Sequence, residues 1–228
     1  MKKPYIICHM MTSVDGRIDC AMTSQLPGVS DYYSTLNALN TPTTVSGRVT
    51  AELEMAEPGV FIAKDNTPLN KESYSKKANA KGYEIIVDTH GKLLWNNASG
   101  MEKPYLIITS EQVSKEYLNY LDEQNISWIA CGKEKIDLAR ACKILADNFG
   151  VKRMSIVGGP AINTAFLNAG LLDEISILIG AGIDGRMEMP SVFDGRDMNY
   201  PLTHLTLSDV EKFDSGAVWL RYKTKGLA

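Results

Sequence analysis

Residues 154–179, MSIVGGPAINTAFLNAGLLDEISILI, decide the fold. The stretch begins with an apolar strand pattern, breaks at Gly158, Gly159 and Pro160, and continues at once with a helical pattern. A second apolar strand, EISILI, follows the helix. Strands that alternate with helices in this way predict a largely parallel, buried sheet that is covered by helices.

The same alternation extends along most of the chain. Further predicted strands are PYIICHMM, TTVSG, YEIIVD, PYLIIT and ISWIAC. Predicted helices are SDYYSTLNAL with Ser30 as its N-cap, a short helix from Arg48, SKEYLNYLDEQ, and IDLARACKILADNFG ending at Gly150. The lysine-rich segment KESYSKKANAK predicts a solvated stretch.

The last part of the chain has a different pattern. The stretches THLTLSDVEKF and AVWLRYKT flank Asp214, Ser215 and Gly216, which predicts an antiparallel hairpin. We therefore expect one α/β domain over residues 1–228, with a mostly parallel mixed sheet, helices on both faces and a C-terminal hairpin.

The composition indicates a globular protein with a small-molecule partner. The 228 residues include 24 basic and 27 acidic ones, a formal net charge of −3, and neither sign forms a long block. Such a balance argues against a nucleic-acid or membrane surface. Cys8, Cys20, Cys131 and Cys142 lie far apart, which indicates reduced, mostly buried thiols and neither a metal site nor a disulfide framework. Free cysteines and the lack of a signal-peptide pattern predict a cytoplasmic protein.

The break at the glycines has two interpretations. Beyond the carboxyl end of a parallel strand, the first turn of a helix offers unpaired N–H groups and a positive dipole end. Gly158 and Gly159 would let the backbone approach an anion, and Pro160 at the first helical position loses no needed N–H. The segment predicts either a phosphate site or a tight strand-to-helix turn alone.

A rival glycine motif, GAGIDG at residues 180–185, matches the dinucleotide fingerprint GxGxxG. That fingerprint requires a helix that begins inside it, whereas RMEMPSVFDGRD follows here without an apolar period. The segment is therefore expected to be a loop.

Three other stretches place polar residues just after predicted strands. They are TSVDGRI with the turn Asp15-Gly16, SGRVT with a cation at Arg48, and IIVDTHG with Thr89 after a buried strand. Each alone is typical of a capped helix or a solvated turn. Together they are expected to line one edge of the sheet and to favour the phosphate interpretation.

These motifs in this order resemble the dihydrofolate-reductase-like superfamily, and within it the reductase domain of riboflavin biosynthesis. The resemblance extends from Pro4 to Tyr222 and is most specific in VGGPAINTAFLNAGLLDEISILI. It implies a three-layer dihydrofolate-reductase-like fold, NADPH as the hydride donor, and pairing of subunits as homodimers.

The resemblance also implies roles for particular residues. Gly159 to Asn163 would hold the cofactor's diphosphate with Gly158 supporting the turn, and Met11 would touch the nicotinamide side through its backbone. Thr89 would lie near the adenosine end. The full implied cofactor set is Met11, Gly47, Arg48, Thr50, Glu54, Thr89, Gly158, Gly159, Pro160, Ala161, Ile162 and Asn163.

On the substrate side the resemblance points to His9 and Ser13. His9 shares a strand face with Met11 and could donate a proton or bind a polar substrate, or it could be a buried, hydrogen-bonded core histidine. Val157 stands where the riboflavin reductases have a glutamate, and the arginine expected in SDYYSTLNAL is missing. We therefore expect low activity on the pyrimidine of riboflavin synthesis.

The sequence predicts an NADPH-dependent reductase of a small heterocyclic or sugar-like substrate, similar to 5-amino-6-(5-phosphoribosylamino)uracil reductase. The deaminase signature, HxE followed by PCxxC, does not occur. No proton donor is assigned, because the cofactor supplies the reactive atom in hydride chemistry. The alternative is a nucleotide-binding protein of the same fold without turnover.

Overall fold

The computed structural model describes residues 3–224, which form two compact units. The first unit contains Pro42–Met154 together with the residues up to Pro4, and the second contains Tyr5–Thr41 and the described residues from Ser155 onward. A single domain over residues 1–228 stays a prediction.

Strands and helices alternate along the chain as predicted. In chain order the elements are β1 (Tyr5–Thr12), α1 (Cys20–Thr23), α2 (Val29–Ala38), β2 (Thr43–Gly47), α3 (Arg48–Glu54), β3 (Ser73–Ser75), β4 (Glu84–Val87), β5 (Tyr105–Thr109), α4 (Lys115–Glu123), β6 (Ser127–Ala130), α5 (Leu138–Asn148), β7 (Arg153–Gly158), α6 (Pro160–Asn168), β8 (Glu174–Ile179), β9 (Leu205–Lys212) and β10 (Val218–Thr224).

The first unit is built on five strands in the order β3-β6-β5-β4-β2. β2, β4, β5 and β6 are parallel to their neighbours, and β3 pairs antiparallel with β6. β4, β5 and β6 are largely apolar because both of their faces are covered, whereas β2 contains Thr43, Thr44 and Ser46. Trp95, Tyr117 and Leu121 pack against Ile86 and Ile107 in the core of this unit.

The second unit has the strand order β7-β1-β8-β10-β9. β1 and β8 are parallel, and β8, β10 and β9 are antiparallel, so the predicted C-terminal hairpin is confirmed. Ile7, Met11, Leu178 and Trp219 form the core on one face. Glu174, 1% exposed at its side chain, is held in this unit by an ion pair of 2.6 Å with Arg221.

The structure confirms the predicted class, an α/β fold with a mostly parallel mixed sheet and an antiparallel end, and corrects two local predictions. The helix predicted to be capped by Ser30 has Gly28 as its N-cap, at φ +92°. A side chain at Gly28 would meet Ala217 at 2.8 Å, so the chain turns here on a residue without a Cβ. The segment predicted only as solvated contains β3, a short, polar edge strand.

The cysteines are free thiols, as predicted. Cys8, Cys131 and Cys142 are buried and Cys20 is exposed. Within residues 3–224, no helix is long and apolar enough to cross a membrane.

Candidate functional site

The turn between β7 and α6 has the backbone that the glycine pattern predicts. Gly158 is buried at φ +133°, a conformation that residues with a side chain rarely adopt. Gly159 is the N-cap and Pro160 the first helical residue, and no side chain caps the helix. The N–H groups of Gly159, Ala161 and Ile162 therefore lack partners inside the helix.

Two polar side chains lie buried just behind this turn. Asn163 is fully buried and donates from Nδ2 to the carbonyl oxygen of Val192 at 2.8 Å. Among the described residues, its Oδ1 and the Oγ1 of Thr164 are buried without a hydrogen-bond partner. Unpaired buried polar atoms are costly, so a bound group that offered them hydrogen bonds would be stabilised here.

These features fit the diphosphate of a dinucleotide. Uncapped N–H groups at a helix N-terminus favour an anion, and the Thr164 hydroxyl can donate to an oxygen. Thr164 was not among the residues predicted from the sequence. The signal for it was a hydroxyl residue directly after Asn163, at the start of the second turn of the helix.

His9 lies in β1 with its ring fully buried in the second unit. Its Nδ1 is 2.9 Å from Ser176 Oγ, its Nε2 is 3.2 Å from Thr35 Oγ1, and its ring stacks on Tyr32. Burial lowers the pKa of His9 to about 4. This geometry favours the second interpretation of the sequence, a hydrogen-bonded core histidine, over a substrate ligand.

Ser13, the other predicted substrate ligand, supports the turn after β1. Its buried hydroxyl donates to Asp15 Oδ1 at 2.6 Å and accepts from the backbone N–H of Arg17 at 3.1 Å. The role that the structure gives to Ser13 is therefore to hold the loop of residues 13–19, because its hydroxyl is already engaged at both ends.

Asp15 connects the 13–19 loop to the loop of residues 180–191 that follows β8. The backbone N–H groups of Asp184 and Gly185 each donate to its carboxylate at 3.0 Å. These hydrogen bonds, with that from Ser13 as the strongest, hold the pKa of Asp15 well below its usual range. The GAGIDG segment is thus a loop, as predicted, and two of its amides bind a carboxylate of the protein itself.

Arg17 ties the same two loops together. Its Nη1 donates to the carbonyl oxygen of Met189 at 2.5 Å, and Ile18 N–H donates to the carbonyl oxygen of Pro190 at 3.1 Å. Its Nε is buried without a hydrogen-bond partner among the described residues and lies 3.9 Å from Asp15 Oδ2. The hydrogen bond to Met189 therefore fixes the guanidinium in place beside the Asp15 carboxylate.

The first unit carries the other predicted cofactor residues. Gly47 is the N-cap of α3, and Arg48 pairs with Glu52 at 2.8 Å one helical turn later. Thr50 lies half-buried in the same helix, and Glu54 is exposed at its last position. The pairing with Glu52 means that an anion bound by Arg48 must share or displace that carboxylate.

Thr89 follows β4 in the first unit and uses its backbone to hold the next strand. Its carbonyl oxygen accepts from Thr109 Oγ1 and Ser110 Oγ, each at 3.0 Å. Just beyond it opens a cleft of about 260 Å³, which is lined by Phe61, Ala63, Asn66, His90, Gly91, Lys92, Gln112 and Ser114. The sequence did not predict this cleft, because the loop of residues 57–69 carries no recognisable motif.

The predicted site residues divide between the two units. The second contains Met11, residues 158–163, His9 and Ser13, and the first contains Gly47, Arg48, Thr50, Glu54 and Thr89. Met11 lies in β1 with its side chain in the core. In the part of the chain that the structure describes, no group of three or more His, Cys, Asp or Glu side chains could hold a metal ion.

Comparison with known proteins connects this geometry to a family. A model of the RibD C-terminal domain matches residues 4–219. A 2,5-diamino-6-ribosylamino-4(3H)-pyrimidinone 5′-phosphate reductase of Aquifex aeolicus is 25% identical over 202 residues, which cover 86% of this chain and 84% of that protein. The riboflavin biosynthesis protein RibD of Chlamydia muridarum is 26% identical over 198 residues, 84% of this chain and 50% of that protein.

Solved structures show the same fold. A pyrimidine reductase-like protein of Corynebacterium diphtheriae has a TM-score of 0.70 at 18% identity, and the match covers 97% of this chain and 92% of that one. The riboflavin biosynthesis reductase of Saccharomyces cerevisiae has a TM-score of 0.61 at 18% identity, with 97% and 90% covered. The predicted dihydrofolate-reductase-like fold class is confirmed.

Proposed function

Because the chain belongs to the family of RibD C-terminal domains, we propose that it is an NADPH-dependent reductase of a ribosylaminopyrimidine 5′-phosphate. This deepens the general prediction of a reductase with a small heterocyclic or sugar-like substrate. The name of the Aquifex aeolicus relative supplies the substrate class.

The proposed reaction reduces a carbon–nitrogen bond of the sugar. A ribosylamine can open to an imine, whose C=N bond then accepts a hydride at carbon and a proton at nitrogen to give a ribitylamine. NADPH supplies the hydride when bound, and the protein positions the two reactants. This chemistry needs no nucleophile activated by a neighbouring base.

The cofactor proposal rests on the N-terminal turn of α6. The N-terminal turn of α6 has no capping side chain, and the buried Thr164 hydroxyl behind it has no partner among the described residues. Both features suit a diphosphate that accepts hydrogen bonds from the turn. We place the cofactor's diphosphate at residues 158–164 of the second unit.

The first unit supports the choice of NADPH over NADH. Arg48 is an exposed guanidinium and Thr50 a hydroxyl, and both are chemically suited to phosphate oxygens. We assign them as ligands of cofactor phosphates, and we place the adenosine end beside Thr89.

An experiment with labelled cofactor separates turnover from binding alone. NADPH carrying deuterium at both C4 positions is incubated with the ribosylaminopyrimidine 5′-phosphate, and the product is examined by mass spectrometry and NMR. We expect one deuterium at the former C1′ of the sugar. Bound NADPH with no deuterium transfer would instead support the alternative, a nucleotide-binding protein without turnover.

We also propose that two copies pair through the C-terminal hairpin. Leu205, Leu207 and Val210 of β9 are exposed on one face, where Leu207 and Val210 lie beside Tyr222 and Leu220 of β10. The other face of β9 is polar. This apolar face carries no charge at its centre, so it suits an identical face related by a two-fold axis.

A further inference from the structure

The position of the substrate follows from the strand order of the second unit, given the proposed function. β1 lies between β7, which leads into the cofactor turn, and β8. In the proposed function the nicotinamide lies at Met11 of β1 and the diphosphate lies beyond β7. The cofactor then occupies the β7 side of the nicotinamide, which leaves the β8 side for the substrate. There the 13–19 loop and the 180–191 loop lie against each other.

A substrate with a phosphate group needs a cation at this place. The two loops contain Arg17 and Arg186 as their basic residues. Arg186 pairs closely with Asp184 and Asp19, so its charge is already matched by two carboxylates. Among the described residues, Arg17 has a single carboxylate contact, at 3.9 Å to Asp15.

Asp15 does not neutralise Arg17 in a close hydrogen-bonded pair. Its carboxylate accepts three shorter hydrogen bonds, from Ser13 and from the amides of Asp184 and Gly185. The Arg17 side chain is 34% exposed, and its contact with the Asp15 carboxylate is long, at 3.9 Å. A partly exposed guanidinium that is not closely paired can present its outer N–H groups to the oxygens of a phosphate.

We propose that Arg17 binds the 5′-phosphate of the substrate and sets the preference for phosphorylated substrates. The hydrogen bond to Met189 fixes the side chain before the substrate arrives, which lowers the entropic cost of binding. In this role Arg17 replaces the arginine that SDYYSTLNAL lacks. The missing arginine then no longer lowers the expected activity on the pyrimidine phosphate, and ordinary activity requires only that Val157 is tolerated where the riboflavin reductases have a glutamate.

The kinetic test compares the 5′-phosphorylated substrate with its dephosphorylated riboside. In the wild type, kcat/KM should favour the phosphorylated form by on the order of 100-fold. Arg17→Met should reduce this preference to less than about fivefold, because the loss of kcat/KM should be much larger for the phosphorylated substrate than for the riboside. Arg17→Lys should retain part of the preference, because lysine keeps the positive charge but lacks the paired N–H donors of a guanidinium.

Arg186→Met is the matched control, since Arg186 lies on the facing loop with its charge already paired. It should keep the full preference for the phosphorylated substrate. An equal loss of activity on both substrates in Arg17→Met would overturn the proposal and assign Arg17 to loop structure alone.

Calorimetry with ribose 5-phosphate decides the question without turnover. We expect it to bind the wild type and to bind Arg17→Met at least about tenfold more weakly, whereas ribose should not distinguish the two proteins. Inorganic phosphate is titrated in the same way, to distinguish a site for any phosphate anion from a site for a sugar phosphate. Equal binding of ribose 5-phosphate to both proteins, or none to the wild type, contradicts the proposal. Absence of turnover with this binding pattern intact would contradict the reductase function and leave Arg17 as the phosphate ligand.

Discussion

The imidazole Nδ1 of His9 lies 2.9 Å from the hydroxyl oxygen of Ser176, and both side chains are fully buried. Trp219 donates to the same hydroxyl from Nε1 at 2.7 Å. The network joins three neighbouring strands of the second unit, so His9 contributes to the packing of β1, β8 and β10. Because burial lowers its pKa to about 4, His9 is neutral at pH 7.

This pKa predicts a loss of stability in mild acid. An unfolded histidine has a pKa near 6.5, so between pH 6.5 and about 4 the unfolded chain binds a proton that the folded chain does not. The contribution of His9 is complete above pH 6.5 and falls by about 3 kcal/mol as the pH drops through this window. Urea unfolding at a series of pH values measures it. His9→Gln should flatten the curve, and an unchanged slope would assign the loss to other groups.

Gly159→Val tests the cofactor turn. The backbone of Gly159 is extended, at φ −90°, so valine is compatible with the fold, but its side chain should occupy the space of the diphosphate. We expect a folded protein that no longer binds NADPH in calorimetry. Thr164→Val, which removes only the unpaired hydroxyl, should weaken binding by about 1 kcal/mol. Normal NADPH affinity in folded Gly159→Val would mean that the glycines form a turn and nothing more.

Arg48→Ala tests the choice of nucleotide. Loss of a guanidinium that binds the extra phosphate should weaken NADPH by roughly 1–3 kcal/mol and leave NADH nearly unchanged. Glu52→Gln is the matched control, because it removes the carboxylate that pairs with Arg48 and should not weaken NADPH. Fluorescence titration of the wild type and of Arg48→Ala with both cofactors gives four dissociation constants. Equal effects of Arg48→Ala on NADPH and NADH would refute the assignment.

Leu207→Asp tests the proposed pairing of subunits. A charge in the middle of the apolar face of β9 should convert a dimer into monomers at micromolar concentration in sedimentation equilibrium. Thr206→Asp places the same charge on the opposite face of the strand and should leave the dimer intact. If the wild type is monomeric, or if both variants remain dimeric, the interface lies elsewhere or does not exist.

Local patterns were enough to predict the strands and helices that pack against other elements. The alternation of strands and amphipathic helices identified β1, β2 and β4 to β8, because these elements pack against others. β3 was missed because an edge strand of three residues, Ser73–Ser75, buries too little to need apolar side chains. The helix start at Gly28 was missed because it depends on the close approach of Ala217, far away in the sequence.

The part of the site that consists of backbone groups could be predicted from the sequence. The glycines at residues 158 and 159 identified the turn before α6, and the φ of +133° at Gly158 is the conformation that needs a glycine. The partners of Asp15 could not be predicted, because the amides of Asp184 and Gly185 are 169 and 170 residues away and carry no side-chain signal. For the same reason the sequence left two roles open for His9, whose partner Ser176 is 167 residues away.

The central claim is that this protein reduces a ribosylaminopyrimidine 5′-phosphate with NADPH, and the most direct test is the loss of NADPH absorbance when that substrate is added. We predict substrate-dependent oxidation at roughly 1–10³ per second, with one ribitylaminopyrimidine phosphate formed for each NADPH consumed. No oxidation above the rate without substrate, in a folded protein that still binds NADPH, would contradict it.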